Sequence, residues 1–171
     1  MTLPPAQEIV AELRRAIDAT VAPQNELTSL LLDLHATNVA QWAQEDDARG
    51  ANASDADVAA ARRAIDDLNL RRHGLIEALD TAMALALAPS AEAPPVTESP
   101  AMVLDRLSVL VIRIHHTARA ASPEEDRSAA RLTLLEEQLE VLEQALDALV
   151  ADVRAGRRSF LPYRQLKLYG R

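Results

Sequence analysis

Residues 103–114 read VLDRLSVLVIRI, an apolar run interrupted by three charged residues. A helix with this sequence is apolar on nearly every side, which is typical of the most buried helix of a domain. Helical periodicity puts one set of residues on a single face, namely Asp105, Val109, Ile112 and His116. Because ionised groups on a buried helix are costly unless they are paired, we expect Asp105 and its charged neighbours to meet partner side chains or a ligand.

The sequence on both sides of this run predicts four further helices. Abundant Ala, Leu, Glu and Arg with only four Gly favour helix throughout. Proline, glycine and capping residues mark the ends, so that the five predicted helices, with their caps, are 6–21, 25–49, 54–87, 99–121 and 122–155. Residues 88–98 (APSAEAPPVTE) contain three prolines and show no periodicity, which predicts a flexible linker.

The predicted fold class is all-α, in one domain of residues 1–171. Short connections force neighbouring helices to run antiparallel, which favours a bundle of four long helices arranged as two hairpins. A short N-terminal helix would pack on one side or end of this bundle. The tail 157–171 (RRSFLPYRQLKLYGR) holds five of the 18 basic residues and three of the four aromatics. We expect it to form an aromatic and basic strap that docks on the bundle.

Composition excludes several classes of function. Zero Cys excludes disulfides and thiolate metal sites, and the Glu-x-x-His pairs of di-iron bundles are absent, so no metal or cofactor is expected. A net charge of −8 argues against binding nucleic acid or an anionic membrane surface. No apolar run reaches the roughly 20 residues of a membrane span, and no signal peptide is visible. A cytoplasmic protein is the simplest interpretation.

Polar residues interrupt the apolar stripes of the second and third predicted helices. The stripe of the second helix begins with leucines and continues through Asn38, Trp42, Glu45 and Arg49, flanked by His35 and Asp46. That of the third helix includes Asn69 and Arg72. Solvated helix ends, a snorkelling arginine and internal ion pairs would explain these residues without any activity.

The functional alternative is that these side chains converge on one site for a polar, anionic metabolite. The central prediction is that Asn38, Trp42, Asn69, Asp105 and His116 meet. The candidates for acid and base chemistry are His35, Glu45, Asp46, Asp105 and His116. The candidates for ligand contacts are Asn38, Trp42, Arg49, Asn69, Arg72, Arg106, Arg113, Tyr163, Arg164 and Lys167.

The chain resembles a bacterial family known as domain of unknown function 4254. Three blocks carry the resemblance, the first being 34–49 (LHATNVAQWAQEDDAR) continuing into 65–72 (IDDLNLRR). The second is 104–110 (LDRLSVL) with Arg113 and His116, and the third is 156–158 (GRR) with 163–169 (YRQLKLY). Members of this family accompany glycosyltransferase genes, so the resemblance implies a role in sugar or sugar-nucleotide metabolism.

Two hypotheses follow for function. The first is a protein that binds a sugar phosphate or sugar nucleotide in the bundle core, and that acts as a small enzyme if its His, Glu and Asp residues transfer protons. The second is a non-catalytic accessory protein that docks on a glycosyltransferase or another biosynthetic enzyme. Long helices rich in Ala and Leu leave apolar stripes, so we also expect a homodimer.

Overall fold

The computed structural model describes residues 3–50, 54–120 and 126–166, which contain five α-helices. The helices are α1 (Ala6–Asp18), α2 (Glu26–Ala48), α3 (Asp55–Leu87), α4 (Pro100–Ala120) and α5 (Asp126–Arg154). The all-α prediction is confirmed. Helix α1 ends three residues earlier than predicted because Ala19 already has extended backbone angles. The other described helix ends agree with the sequence to within one residue, while the capping box predicted at 122–125 lies outside the described residues.

Local capping explains where two of the long helices begin. The side chain of Asn25 accepts a hydrogen bond from the Thr28 amide at 3.1 Å, and the Thr28 hydroxyl accepts one from the Asn25 amide at 2.9 Å. Ser54 and Asp57 form the same reciprocal pair at the start of α3. Each capping box satisfies backbone amides that the first turn of a helix leaves without partners.

The contacts between helices fix their directions. Arg72 meets Asp105 and Asp80 meets Ala101, so α3 and α4 run antiparallel. Helix α2 packs along α3 and also touches α4, while α1 contacts α2, α4 and α5. The core is aliphatic, and the largest side chains sealed in it are Ile9, Leu13, Leu27, Leu31, Leu34, Leu79, Met83, Leu104, Leu107, Ile112 and Leu146.

Residues 157–166, which we call the C-terminal segment, lie against the connection between α3 and α4. Helix α5 closes with Gly156 in a left-handed conformation, at φ +69°, and the Arg157 amide bonds back to the Asp152 carbonyl at 2.9 Å. The backbone of Ser159 then pairs with that of Pro94 and Val96, at 3.0 and 2.8 Å. The predicted linker 88–98 therefore holds the C-terminal segment through backbone hydrogen bonds.

None of the helices in the described ranges combines the length and the apolar character that crossing a membrane requires.

Candidate functional site

An ion pair between α3 and α4 forms the centre of the candidate site. Arg72 Nε donates to Asp105 Oδ1 at 2.7 Å, and Arg72 Nη2 donates to Asp105 Oδ2. Asp105 is only 5% exposed, whereas the Arg72 side chain is 26% exposed. The hydrogen bonds to Asp105 raise the pKa of Arg72 above its ordinary value. This side-on geometry fixes the plane of the guanidinium group at the edge of the core.

A chain of buried hydrogen bonds leads from this ion pair into the core. Asn38 Nδ2, on α2, donates to Asp105 Oδ1 at 3.1 Å and to Ser108 Oγ at 3.0 Å. Ser108 Oγ lies 2.9 Å from His35 Nδ1. The Ser108 hydroxyl therefore joins Asn38 to His35, because its oxygen accepts from Asn38 and also lies within hydrogen-bond distance of the imidazole. We call Arg72, Asp105, Asn38, Ser108 and His35 the core polar network.

His35 is the deepest member of this network, with 1% of its surface exposed. Burial lowers its pKa from 6.5 to about 4, and the Leu13 backbone opposes that shift only in part. Nε2 makes no hydrogen bond to the described residues. His35 is therefore a neutral imidazole at physiological pH, enclosed by the core.

The ion pair opens on its other side into a groove between α4 and α5, with a volume of about 690 Å³. We call this the α4–α5 groove. Its lining consists of Arg72, Asp105, Arg106, Val109, Leu110, Arg113, Leu134, Glu137, Gln138, Val141, Leu142 and Ala145. Three arginines and two carboxylates are among these residues, in a chain whose net charge is −8.

The arginines of the groove differ in their partners. Arg72 is held by Asp105, and Arg106 pairs with Glu98 at 2.5 Å. Arg113 is exposed and makes no ion pair or hydrogen bond with the described residues. Glu137, on the opposite wall, is also exposed and without an ion pair among those residues. An unpaired cation and an unpaired anion therefore border the same groove.

A second cluster lies toward the far ends of α2 and α4. The rings of Trp42 and His116 stack with centroids 4.9 Å apart and an interplanar angle of 12°. Trp42 Nε1 donates to Asp46 Oδ2 at 3.0 Å, and Arg49 Nη2 pairs with Glu45 at 3.1 Å. Burial is the main cause that lowers the pKa of His116, followed by its neighbour His115.

The structure therefore divides the predicted convergent set between two places. Asn38 and Asp105 meet in the core polar network, while Trp42 and His116 meet in the second cluster. Eleven residues of α4 separate Asp105 from His116, a rise of roughly 16 Å along the helix. Asn69 is half-buried and makes no side-chain hydrogen bond with the described residues.

The C-terminal segment places Tyr163 beside α3. Its hydroxyl lies 2.9 Å from His73 Nδ1 and donates to Gln165 Oε1 at 2.9 Å, and the two rings stack. Burial raises the pKa of Tyr163, and Arg72 is near enough to oppose that shift. Arg164 instead turns to Thr81 at 3.1 Å, away from the core polar network. Lys167 lies outside the described residues.

Sequence reasoning missed three residues. Ser108 is the centre of the buried chain, and its position three residues after Asp105 on a nearly apolar helix was the available signal. Asp80 is fully buried and accepts hydrogen bonds from the amides of Ala101 and Tyr163 at 3.0 and 2.8 Å. Glu137 lies on the solvated face of α5 like the other exposed glutamates of that helix, so no sequence pattern marked it as a site residue.

The described residues contain no group of three or more His, Asp or Glu side chains arranged to hold a metal ion.

Comparison with known proteins gives one match. The model of a family described as "Protein of unknown function (DUF4254)" matches residues 28–161. No curated protein and no solved structure matches the chain. The matched range contains the core polar network, the second cluster and the whole lining of the α4–α5 groove. Since the match covers most of the chain, the protein belongs to the DUF4254 family.

Proposed function

We propose that this protein binds a polar, anionic metabolite of the sugar phosphate or sugar nucleotide class in the α4–α5 groove. The observation that carries this proposal is the exposed Arg113, which has no acidic partner among the described residues of an acidic chain. Guanidinium groups bind phosphate oxygens with paired, charge-assisted hydrogen bonds. Arg113 and Arg106 would hold the anionic group, with Arg72 oriented beside them.

The opposite wall suits the hydroxyl groups of a sugar. Glu137 accepts hydrogen bonds, and the amide of Gln138 both donates and accepts them. The aliphatic residues between the walls would pack against the apolar face of a sugar ring. This division of donors, acceptors and apolar contacts supports a phosphorylated sugar over a simple inorganic anion.

The core polar network supports binding more than proton transfer. Asn38, Ser108 and His35 are buried and joined by hydrogen bonds, so we assign them the role of fixing Asp105 and, through it, Arg72. Acid or base chemistry by Glu45, Asp46 or His116 stays a prediction for the second cluster. A closed network of this kind also favours the alternative function, a non-catalytic accessory protein that docks on a glycosyltransferase.

The helix directions support an antiparallel four-helix bundle of α2 to α5, with the C-terminal segment as a strap. Antiparallel contacts join α3 to α4, and the parallel contacts of His35 with Ser108 and of Trp42 with His116 put α2 and α4 in the same direction. We propose this arrangement, in the cytoplasm, as the frame that holds the groove.

Binding of glucose 1-phosphate and a sugar nucleotide, measured by isothermal titration calorimetry, tests the function. We expect Arg113→Gln to weaken binding about tenfold or more, since a charge-assisted contact is worth roughly 1.5–3 kcal/mol. The control is Arg119→Gln, because Arg119 is exposed on the same helix but does not line the groove. If Arg113→Gln and Arg119→Gln bound the ligand equally well, the α4–α5 groove would not be the binding site. A failure of every sugar phosphate to bind would favour the accessory protein.

A further inference from the structure

We infer that the ligand of the α4–α5 groove is an amphiphile, a phosphate ester that carries an aliphatic chain. This inference rests on the proposed function, because it specifies the class of anion that the same groove takes. The phosphate would meet the arginines of α3 and α4, and the chain would lie along α5. An aliphatic chain is expected because the α5 wall exposes large apolar side chains at the groove.

Two aliphatic residues of α5 are exposed in the lining. Leu134 is 54% exposed and Val141 is 67% exposed, although both are large hydrophobic residues. They are seven residues apart, which puts them on one face of the helix and about 10 Å apart along its axis. Glu137 and Gln138 lie between them in the sequence and are the polar residues of this wall.

Four further aliphatic residues of the lining extend this apolar surface, namely Val109, Leu110, Leu142 and Ala145. No aromatic ring is among the lining residues, so a nucleobase would find no ring to stack on, which favours the phosphate monoester of the proposed function over the sugar nucleotide. The apolar surface is therefore suited to methylene groups. A fully polar sugar phosphate would leave Leu134 and Val141 in contact with water.

The charges of the groove select an anionic amphiphile. Arg72, Arg106 and Arg113 all project from α3 or α4, whereas the exposed aliphatic residues project from α5. The wall formed by α3 and α4 thus supplies the cations, and the α5 wall supplies exposed apolar side chains on either side of Glu137 and Gln138. The same chemistry occurs in a free amphiphile and in the headgroup region of a membrane. The net charge of −8 opposes approach to an anionic membrane, so we assign the free molecule.

A series of n-alkyl phosphates from ethyl to octyl tests this inference by calorimetry with the full chain. A fully buried methylene tightens binding about fourfold, and a chain covered on one side gains about half of that free energy. We therefore expect about a twofold decrease in Kd for each added methylene. The matching n-alkanols, which lack the phosphate, should bind far more weakly at every length.

Two variants separate the head of the ligand from its chain. Leu134→Gln with Val141→Thr should flatten the dependence of Kd on chain length, so that octyl phosphate loses much more affinity than ethyl phosphate. Arg113→Gln should weaken every member of the series by the same factor. Leu161→Gln serves as the control, since Leu161 is 82% exposed but lies outside this groove.

The outcomes distinguish this inference from the proposed function. Binding of glucose 1-phosphate together with a Kd that does not change along the alkyl series would overturn the amphiphile and leave the function standing. Failure of all phosphates to bind would overturn both. A change of oligomeric state in the Leu134 variant, without any chain-length dependence, would assign the groove to a second copy and also overturn the inference. Sedimentation with vesicles that contain phosphatidic acid distinguishes a free amphiphile from a membrane lipid. We expect no cosedimentation, and cosedimentation of the protein would overturn the assignment to a free molecule.

Discussion

At the scale of single residues, Asp105 determines the arrangement of the candidate site. Its carboxylate accepts two hydrogen bonds from Arg72 and one from Asn38, so every donor around it comes from another helix. A buried carboxylate without such partners would cost several kcal/mol. The three helices α2, α3 and α4 are therefore held in one register by a single side chain.

The sequence indicated Asp105, Arg72 and Asn38 as residues that need partners, because each interrupts an apolar stripe. The partners themselves depend on the rotation and register of three helices, which no local pattern encodes. His116 illustrates this point: it shares the periodicity of Asp105 along α4 but lies about three turns away from it, against Trp42. Periodicity predicts the face of a residue and its rise along its own helix, but not which residue of a neighbouring helix lies opposite it.

His35 makes stability dependent on pH. Its pKa is about 4 in the folded protein and 6.5 in the unfolded chain, so folding favours the neutral ring. The contribution of His35 to the free energy of unfolding is fully present above pH 6.5 and is lost as the pH falls toward 4. The shift corresponds to a loss of roughly 3 kcal/mol. Urea unfolding at pH 7 and pH 4 measures this change in free energy.

The control for this prediction is His35→Gln, which keeps a polar side chain but cannot titrate. Both proteins contain the same carboxylates, which also respond to acid. The contribution of His35 is therefore the difference between the two proteins in how much unfolding free energy each loses from pH 7 to pH 4. We expect wild type to lose roughly 3 kcal/mol more than the variant between the two pH values. Equal losses would show that the imidazole is already protonated or hydrated in the folded state.

At the scale of elements, helix ends were predictable and their tertiary attachments were not. Ser54 and Gly156 are local signals, and the structure puts a cap at each of them. The pairing of Ser159 with Pro94 and Val96 joins positions more than 60 residues apart. The proline content of 88–98 excluded a helix there, but it gave no indication that this segment would hydrogen-bond to the C-terminal segment.

Asp80 links three elements. It is on α3, caps the start of α4 through the Ala101 amide, and fixes the C-terminal segment through the Tyr163 amide. Asp80→Ala should therefore leave two backbone donors without a partner, at about 1–3 kcal/mol for each one that stays buried. We expect a loss of roughly 2–4 kcal/mol in the free energy of unfolding, measured with urea.

The matched control for this variant is Asp66→Ala, at an exposed position of the same helix that takes no part in the α3 capping box. It should change stability by less than about 0.5 kcal/mol. Limited proteolysis provides a second readout, since loss of the Tyr163 anchor should expose the C-terminal segment to cleavage. Asp80→Ala with unchanged stability and unchanged cleavage would contradict the linking role.

At the scale of the whole molecule, an acidic chain presents one groove with an excess of arginine and another face that is mostly alanine and leucine. That face lies between α2 and α3, with a volume of about 750 Å³, and Leu85 there is 82% exposed. Its apolar lining is Leu30, Ala78, Ala82, Leu85 and Ala86. Small residues along α3 permit a second helix to approach at the lower end of the usual 8–10 Å.

We expect a second copy of the chain to pack on this α2–α3 face. Glu26 borders one end and has no ion pair with the described residues, while Arg164 borders the other. A two-fold axis near Ala82 would bring the Arg164 end of each copy to the Glu26 end of the other, so the charges are self-complementary.

Light scattering should show a dimer for wild type and a monomer for Ala82→Arg, because the long cation blocks close helix contact. Ala148→Arg, on exposed α5, should remain dimeric, and a monomeric wild type at high micromolar concentration would refute the dimer.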